Sequence, residues 1–230
     1  MVKNPARFAF TSGTTGKAKI LPVSADIETN LYYLMGVLKD KILEDTFPGF
    51  SPLQKIVRLY WEPKSCTSTE SSIPVQPLSK LNPKYKRFVS VTSSSPTAAF
   101  SITDIESCTY VHNLFALRER GLCLFMTSFT TSLYSQMKHM ECHWREMLED
   151  LTQGTINATL SLPQDIRKEL EQCVWPDPVR ADELRREFER GFEGIITRLW
   201  PDCVAAVGSD AAGIKSSLQQ TYCKGMGITS

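Results

Sequence analysis

Phe8-Ala9-Phe10-Thr11-Ser12-Gly13-Thr14-Thr15-Gly16-Lys17-Ala18-Lys19-Ile20-Leu21-Pro22 is the stretch that orients the reading of the whole chain. Phe8 to Phe10 and Ile20 to Leu21 predict short strands on either side of a polar loop. Within the loop, two glycines permit a tight turn in which backbone N–H groups converge on an anion. Thr11, Ser12, Thr14 and Thr15 crowd four hydroxyl donors into five positions, and Lys17 and Lys19 add positive charge. This is the make-up of a nucleotide phosphate loop. A Walker-type loop needs a glycine five residues ahead of the Gly-Lys pair and a Ser or Thr after the lysine. Thr11 and Ala18 occupy those places, so that version fails twice. A Ser/Thr/Gly-rich hairpin turn without function is the plain alternative. The density of donors and the flanking strands argue against it.

The 230 residues are 42% hydrophobic, enough for a buried core in one large domain or two small ones. A formal net charge of +1 leaves no electrostatic footprint for nucleic acid or an anionic membrane, so nucleic-acid partners are not expected. Seven cysteines, an odd number without a Cys-x-x-Cys pair, suit free thiols in a reducing compartment. No apolar run reaches the roughly 18 residues of a membrane span, and the start lacks an apolar secretory stretch. These features imply a cytoplasmic protein, with the endoplasmic reticulum as the alternative if a targeting segment lies outside this chain. Asn157-Ala158-Thr159 fits a glycosylation acceptor, a pattern too short to outweigh the missing signal peptide.

Downstream the pattern alternates between strand and helix. Ser24 caps a helix expected from Ala25 to Asp45, with Leu31, Leu34, Met35, Leu38 and Ile42 as its buried stripe and Pro48-Gly49 as its stop. Ile56 to Trp61 predicts a strand, Pro63 to Pro83 a surface loop, and the alternation of Arg87 to Val91 another strand. Thr103-Asp104-Ile105-Glu106 is a capping box for a helix to about Arg120. Leu122 to Met126 reads as a fully buried strand, followed by a helix from Thr131 or Ser132 to Gly154. Helices are expected from Pro163 to Gln172, from Ala181 to Trp200 and from Ile214 to Tyr222, with a strand over Cys203 to Val207. The expectation is an α/β fold whose strands carry functional loops at their carboxyl ends.

The nine-residue run Thr11 to Lys19 resembles the phosphate loop of adenylate-forming enzymes, the group that contains acyl-CoA synthetases and firefly luciferase. Tyr110 to Leu122, Phe129 to Leu133, Leu148 to Thr155 and Val207-Gly208-Ser209 look like the auxin-responsive acyl-acid amido synthetase family, in a spelling closer to its animal members. The resemblance implies mixed sheets flanked by helices, as in the large N-terminal domain of such an enzyme. It also implies a two-step ligase that activates a carboxylic acid with ATP and Mg²⁺ as an acyl-adenylate, then transfers it to an amino acid amine. Such chemistry runs on preorganised donors and charge around the phosphates, so no nucleophilic Ser, Cys or His is assigned. By the match, Thr11, Ser12, Gly13, Thr14, Thr15 and Gly16 cradle phosphates and Lys17 and Lys19 are mobile charge partners. Tyr110, Asn113, Leu114, Thr130 and Thr131 are implied to line the acyl pocket, although core packing explains Tyr110 and Leu114 equally well.

The aromatic-x-Ser-x-Glu signature, the Gly-Asp for ribose and the small C-terminal domain of the family do not appear in residues 1–230. The expectation is therefore a partial adenylation domain, with the phosphate loop at 11–19 and a surface loop near 63–83. Its alternative is a non-catalytic remnant or interaction module on the same scaffold. His139, His143, Glu146 and Cys142 share one helix, but the His-Glu-x-x-His order is missing. That group reads as a packed or solvated helix face, and no metal ligands are expected.

Overall fold

The computed structural model describes residues 4–10, 17, 19–60, 67–70, 72–77, 83–210 and 213–229; for 28, 31–37, 83–85, 87, 88 and 229 only the backbone is described. In chain order the elements are β1 (Arg7–Phe10), β2 (Ile20–Val23), α1 (Ala25–Thr46), β3 (Lys55–Arg58), β4 (Thr67–Ser68), β5 (Pro74–Pro77) and α2 (Pro83–Thr92). After a 3₁₀ turn over Thr97–Ser101 come α3 (Ile105–Arg118), β6 (Leu122–Phe129), α4 (Thr130–Gln153), α5 (Gln164–Glu171) and α6 (Pro178–Glu189). The chain continues through α7 (Ile195–Leu199), β7 (Ala205–Ser209), α8 (Lys215–Thr221) and β8 (Gly227–Thr229). This is the expected mixed α/β architecture.

Two sheets organise these elements. The first runs β2-β1-β5-β4, with β1 and β2 antiparallel and β1 and β5 parallel. The second runs β3-β6-β7-β8 and is parallel throughout. A parallel sheet needs crossover connections that cover its faces, which is why its central strand reads as an unbroken apolar run. Leu122, Cys123, Leu124 and Phe125 in β6 are all fully buried. α4 packs on the core through Leu133, Met137, Met140, Trp144, Met147 and Leu151, a stripe at helical spacing. It ends at Gly154, in the left-handed conformation with φ 68°.

Several expectations need correction. Arg87 to Val91 belongs to helix α2: Val89 is buried while Val91, on the same face of a strand, is 66% exposed. The 63–83 loop contains β4 and β5, and β5 sits between β1 and β4. Its prolines, Pro74 and Pro77, stand at the ends of a four-residue strand, where missing N–H donors do least harm. In α1, Leu38 and Ile42 are exposed, and Leu43 is buried against Phe50, Ile56 and Leu124 instead. Leu31, Leu34 and Met35 lie outside the described side chains.

Asp104, one residue after the expected cap, receives the Ser107 N–H and starts α3. The helix expected over 181–200 divides into α6 and α7, because Gly191 and Gly194 both adopt positive φ between them. Finally, β8 follows α8 as a fourth parallel strand. Its three residues are too short for a periodic signal.

Candidate functional site

In open α/β sheets ligands bind beyond the carboxyl ends of the strands, where loops converge. At that edge of the parallel sheet a cavity of about 230 Å³ opens between the ends of β3 and β6. Tyr60, Val89, Phe100 and Met126 contribute apolar wall, Arg58 a guanidinium, and Ser128 a hydroxyl. Register places Arg58 directly beside Met126, so the shared strand ends create the opening.

Immediately next to it, β6 runs into α4 and β7 into the segment before α8. Thr130 Oγ1 donates to Asp210 Oδ1 at 2.8 Å, and the same oxygen receives the Ile214 and Lys215 N–H groups at 3.0 and 3.3 Å. Asp210 thereby ties the first residue of α4 to the start of α8. Gly208 is required for this closeness, since a Cβ there would lie 2.8 Å from Thr127 Oγ1 and 3.2 Å from Thr127 O.

Thr11 to Gly16 of the expected phosphate loop lie outside the described residues, whereas Lys17 and Lys19 are exposed. Phe10 and Ile20 are register partners, which holds the two ends of that segment together. Thr130 is buried and Thr131 half-buried at the carboxyl edge. Tyr110, Asn113 and Leu114 sit within α3, whose residues Ser107 to Leu117 are all buried. Leu114 belongs to the main core. Asn113 Nδ2 donates to Gln136 O at 3.1 Å, and Tyr110 Oη donates to Asp150 Oδ2 at 2.8 Å.

Asp150 also accepts from Thr155 Oγ1 and Asn157 N, so three donors surround one carboxylate. Burial pushes its pKa up, and those donors work against the rise. The structure thus gathers Thr130 and Thr131 at the strand ends and holds Tyr110 and Asn113 on the α4-facing side of α3.

Sequence reading passed over Arg58, Tyr60, Phe100 and Ser128. Arg58, Tyr60 and Ser128 lie at or just past the carboxyl ends of β3 and β6, and only the pairing of those two strands as parallel neighbours brings them together. Behind Phe100 lies a second unanticipated pair. Ser95 Oγ is 2.7 Å from His112 Nδ1, while His112 Nε2 is 2.9 Å from the Tyr60 carbonyl. A carbonyl can only accept, so Nε2 carries the proton and Ser95 donates to Nδ1. Ser95 and His112 are 1% and 0% exposed, which makes the pair an internal strut and not a nucleophile with its base.

Burial holds the His112 pKa down at about 4, below its ordinary value of about 6.5. The unfolded chain then binds the proton first as pH falls, so stability is full above pH 6.5 and drains away toward pH 4. Urea unfolding at pH 5 is expected to show about 2 kcal/mol less stability from this group than at pH 8. A His112→Asn variant should lose that part of the acid sensitivity. An unchanged pH slope would refute the assignment.

Among the described residues no helix is long and apolar enough to cross a membrane. Comparison with known proteins places this architecture. Indole-3-acetic acid-amido synthetase GH3.6 of Arabidopsis thaliana is 25% identical over 211 residues, covering 88% of this chain and 34% of that protein. Indole-3-acetic acid-amido synthetase GH3.10 of the same plant is 29% identical over 114 residues, 47% of this chain and 19% of its own length. The chain therefore spans only about a third of the length of the first of these relatives and about a fifth of the second. Among solved structures, an AtGH3.15 acyl acid amido synthetase in complex with 2,4-DB superposes with a TM-score of 0.81 at 19% identity, over 98% of this chain and 40% of that one. That likeness establishes the shared fold. The sheets flanked by helices accordingly form a known architecture, and since residues 1–224 match the GH3 family N-terminal domain, the chain belongs to the GH3 family.

Proposed function

We propose that this chain is the phosphate-loop and acyl-binding part of an ATP-dependent ligase that converts a carboxylic acid to its acyl-adenylate and then joins it to an amino acid. The family match over residues 1–224 carries the reading, because it spans both the loop sequence and the cavity-bearing sheet. Relatives named as indole-3-acetic acid-amido synthetases support the reaction class.

In this reading Thr11 to Gly16 supply phosphate donors and Lys17 and Lys19 supply charge. The aromatic and aliphatic wall of the cavity takes the acid's apolar part, and Arg58 draws its carboxylate toward the nucleotide. Thr130 and Thr131 follow Ser128 at the same carboxyl edge, whereas Asn113 and Leu114 are buried in α3 and Tyr110 faces a different cavity, beside Glu106 and His139. Stabilisation of developing charge on phosphoryl oxygens is the protein's main task in such a transfer, so fixed donors and cations suffice.

Magnesium finds a poor protein ligand at this edge. Asp210 Oδ1 already receives three hydrogen bonds and serves as a structural clasp. We assign magnesium no ligand among the described residues.

A reducing, cytoplasmic setting fits Cys108, Cys123, Cys142, Cys173, Cys203 and Cys223, none of which forms a disulfide. Burial raises the thiol pKa of Cys108, Cys123, Cys203 and Cys223, keeping them protonated and unreactive.

ATP–pyrophosphate exchange with a panel of carboxylic acids tests the proposal, run on this chain and on a longer protein that contains it. Acid-dependent exchange by the longer protein is expected, with the 230-residue stretch alone silent. Silence from both, despite folded protein and bound nucleotide, would favour a non-catalytic module instead.

A further inference from the structure

Helices α3 and α4 run antiparallel, and their register brings Glu106 of α3 to two histidines of α4. Asn113 meets Gln136, the Tyr110 ring lies edge-on to His139 with centroids 6.1 Å apart, and Glu106 reaches His139 and His143. Each step back along α3 is matched by a step forward along α4. One oxygen of Glu106 and one ring nitrogen of each histidine all lie within 4.8 Å of one another.

We propose that Glu106, His139 and His143 form a binding site for a divalent transition metal, zinc foremost, with one coordination position open to the adjoining cavity. Two imidazoles and one carboxylate are a donor set that zinc accepts in a tetrahedral arrangement, the fourth place going to water or a ligand. Ligand atoms around such an ion stand about 3.4 Å apart, given bonds of about 2.0 to 2.1 Å, so the three side chains need only a modest contraction.

Two further observations support the site. His139 Nδ1 is buried and has no hydrogen-bond partner among the described residues. Leaving such an atom unsatisfied costs about 1 to 3 kcal/mol, which makes it unusual in a finished core. His143 Nδ1 lies 3.8 Å from Glu146 Oε1. Once Nε2 holds a metal, that carboxylate is placed to accept the N–H of Nδ1 and orient the ring.

The three residues line a cavity of about 430 Å³ with a mainly polar wall that includes Asn157, Thr159 and Ser161. It is separate from the carboxyl-edge site: His139 lies nine residues after Thr130 along α4, about 13 Å by helical rise. Among the described residues of α4 only the two histidines join the set, and Glu146 stands beside the other ring nitrogen of His143. Glu106, on the exposed first turn of α3, completes the set.

The test is calorimetric titration of the purified protein with Zn²⁺, together with the visible spectrum after Co²⁺ is added. One ion per chain is expected, with the intense visible bands of four-coordinate cobalt. Glu106→Gln, an exposed substitution that leaves the core intact, is expected to weaken zinc at least about 10-fold. His143→Ala should do the same, and Cys142→Ser, on the same helix but outside the set, should bind like the parent. Circular dichroism establishes that each variant is folded. Equal affinity of Glu106→Gln and parent would overturn the proposal, since the histidine pair or a thiol would then be the ligand. So would the absence of stoichiometric zinc on folded protein.

Discussion

Replacing Gly154 with alanine is expected to destabilise the fold by about 3 kcal/mol, the sum of about 1 for a left-handed backbone and about 2 for overpacking. Gly154 ends α4 at φ 68°, and a Cβ there would stand 2.4 Å from both Cδ and N of Pro176 and 2.6 Å from Trp175 C. These are ring and backbone atoms, which cannot swing aside. They belong to the segment that docks α6 on α4, since Asp177 N donates to Leu151 O at 2.8 Å and Asp177 caps α6 through Arg180 N.

For a chain of this size the loss corresponds to a fall in Tm of about 6 to 12 °C. Gly191→Ala is the matched control: its φ is 87°, but nothing lies within 4 Å of the added Cβ. Backbone strain alone, about 1 kcal/mol, is expected there. Equal losses for the two variants in thermal and urea unfolding would show that the Pro176 contact carries no weight.

In a longer protein that contains this chain and has the proposed activity, Lys19→Ala and Gly13→Ala are each expected to lower acid-dependent pyrophosphate exchange at least about 100-fold, the usual scale for losing one preorganised phosphate contact. Lys19 is exposed just ahead of β2, so its removal should leave stability within about 0.5 kcal/mol of the parent. For Gly13 the expectation rests on the proposed phosphate loop, in which a glycine lets backbone N–H groups meet the anion. Lost exchange with retained folding would tie the loop sequence to chemistry. Parent-level exchange by both variants would sever that link.

The parts of the fold legible in the sequence were those that rest on neighbours in the chain. Ser24 does cap α1, accepting the Ile27 N–H at 3.3 Å, and Gly154 does close α4. The unbroken apolar run at Leu122 became the central strand because a strand buried on both faces has no polar side to show. Residues 87–91 misled because five residues alternate by chance too easily, and the choice of helix was made by what α2 packs against. The short strands β4, β5 and β8 were invisible for a related reason: two to four residues take their conformation from the strand beside them.

The candidate sites divide along the same line. The sequence by itself determined the α/β alternation and the family, and it supplied the phosphate-loop expectation for residues 11–19, because these depend on local spacing and residue type. Only the tertiary structure placed Arg58 and Tyr60 at a common cavity with Ser128, buried Ser95 against His112, and carried Glu106 across to His139 and His143. The physical reason is register. Contacts between strands β3 and β6, or between helices α3 and α4, join residues 23 to 68 positions apart, and their alignment is decided by how the apolar faces of whole elements pack.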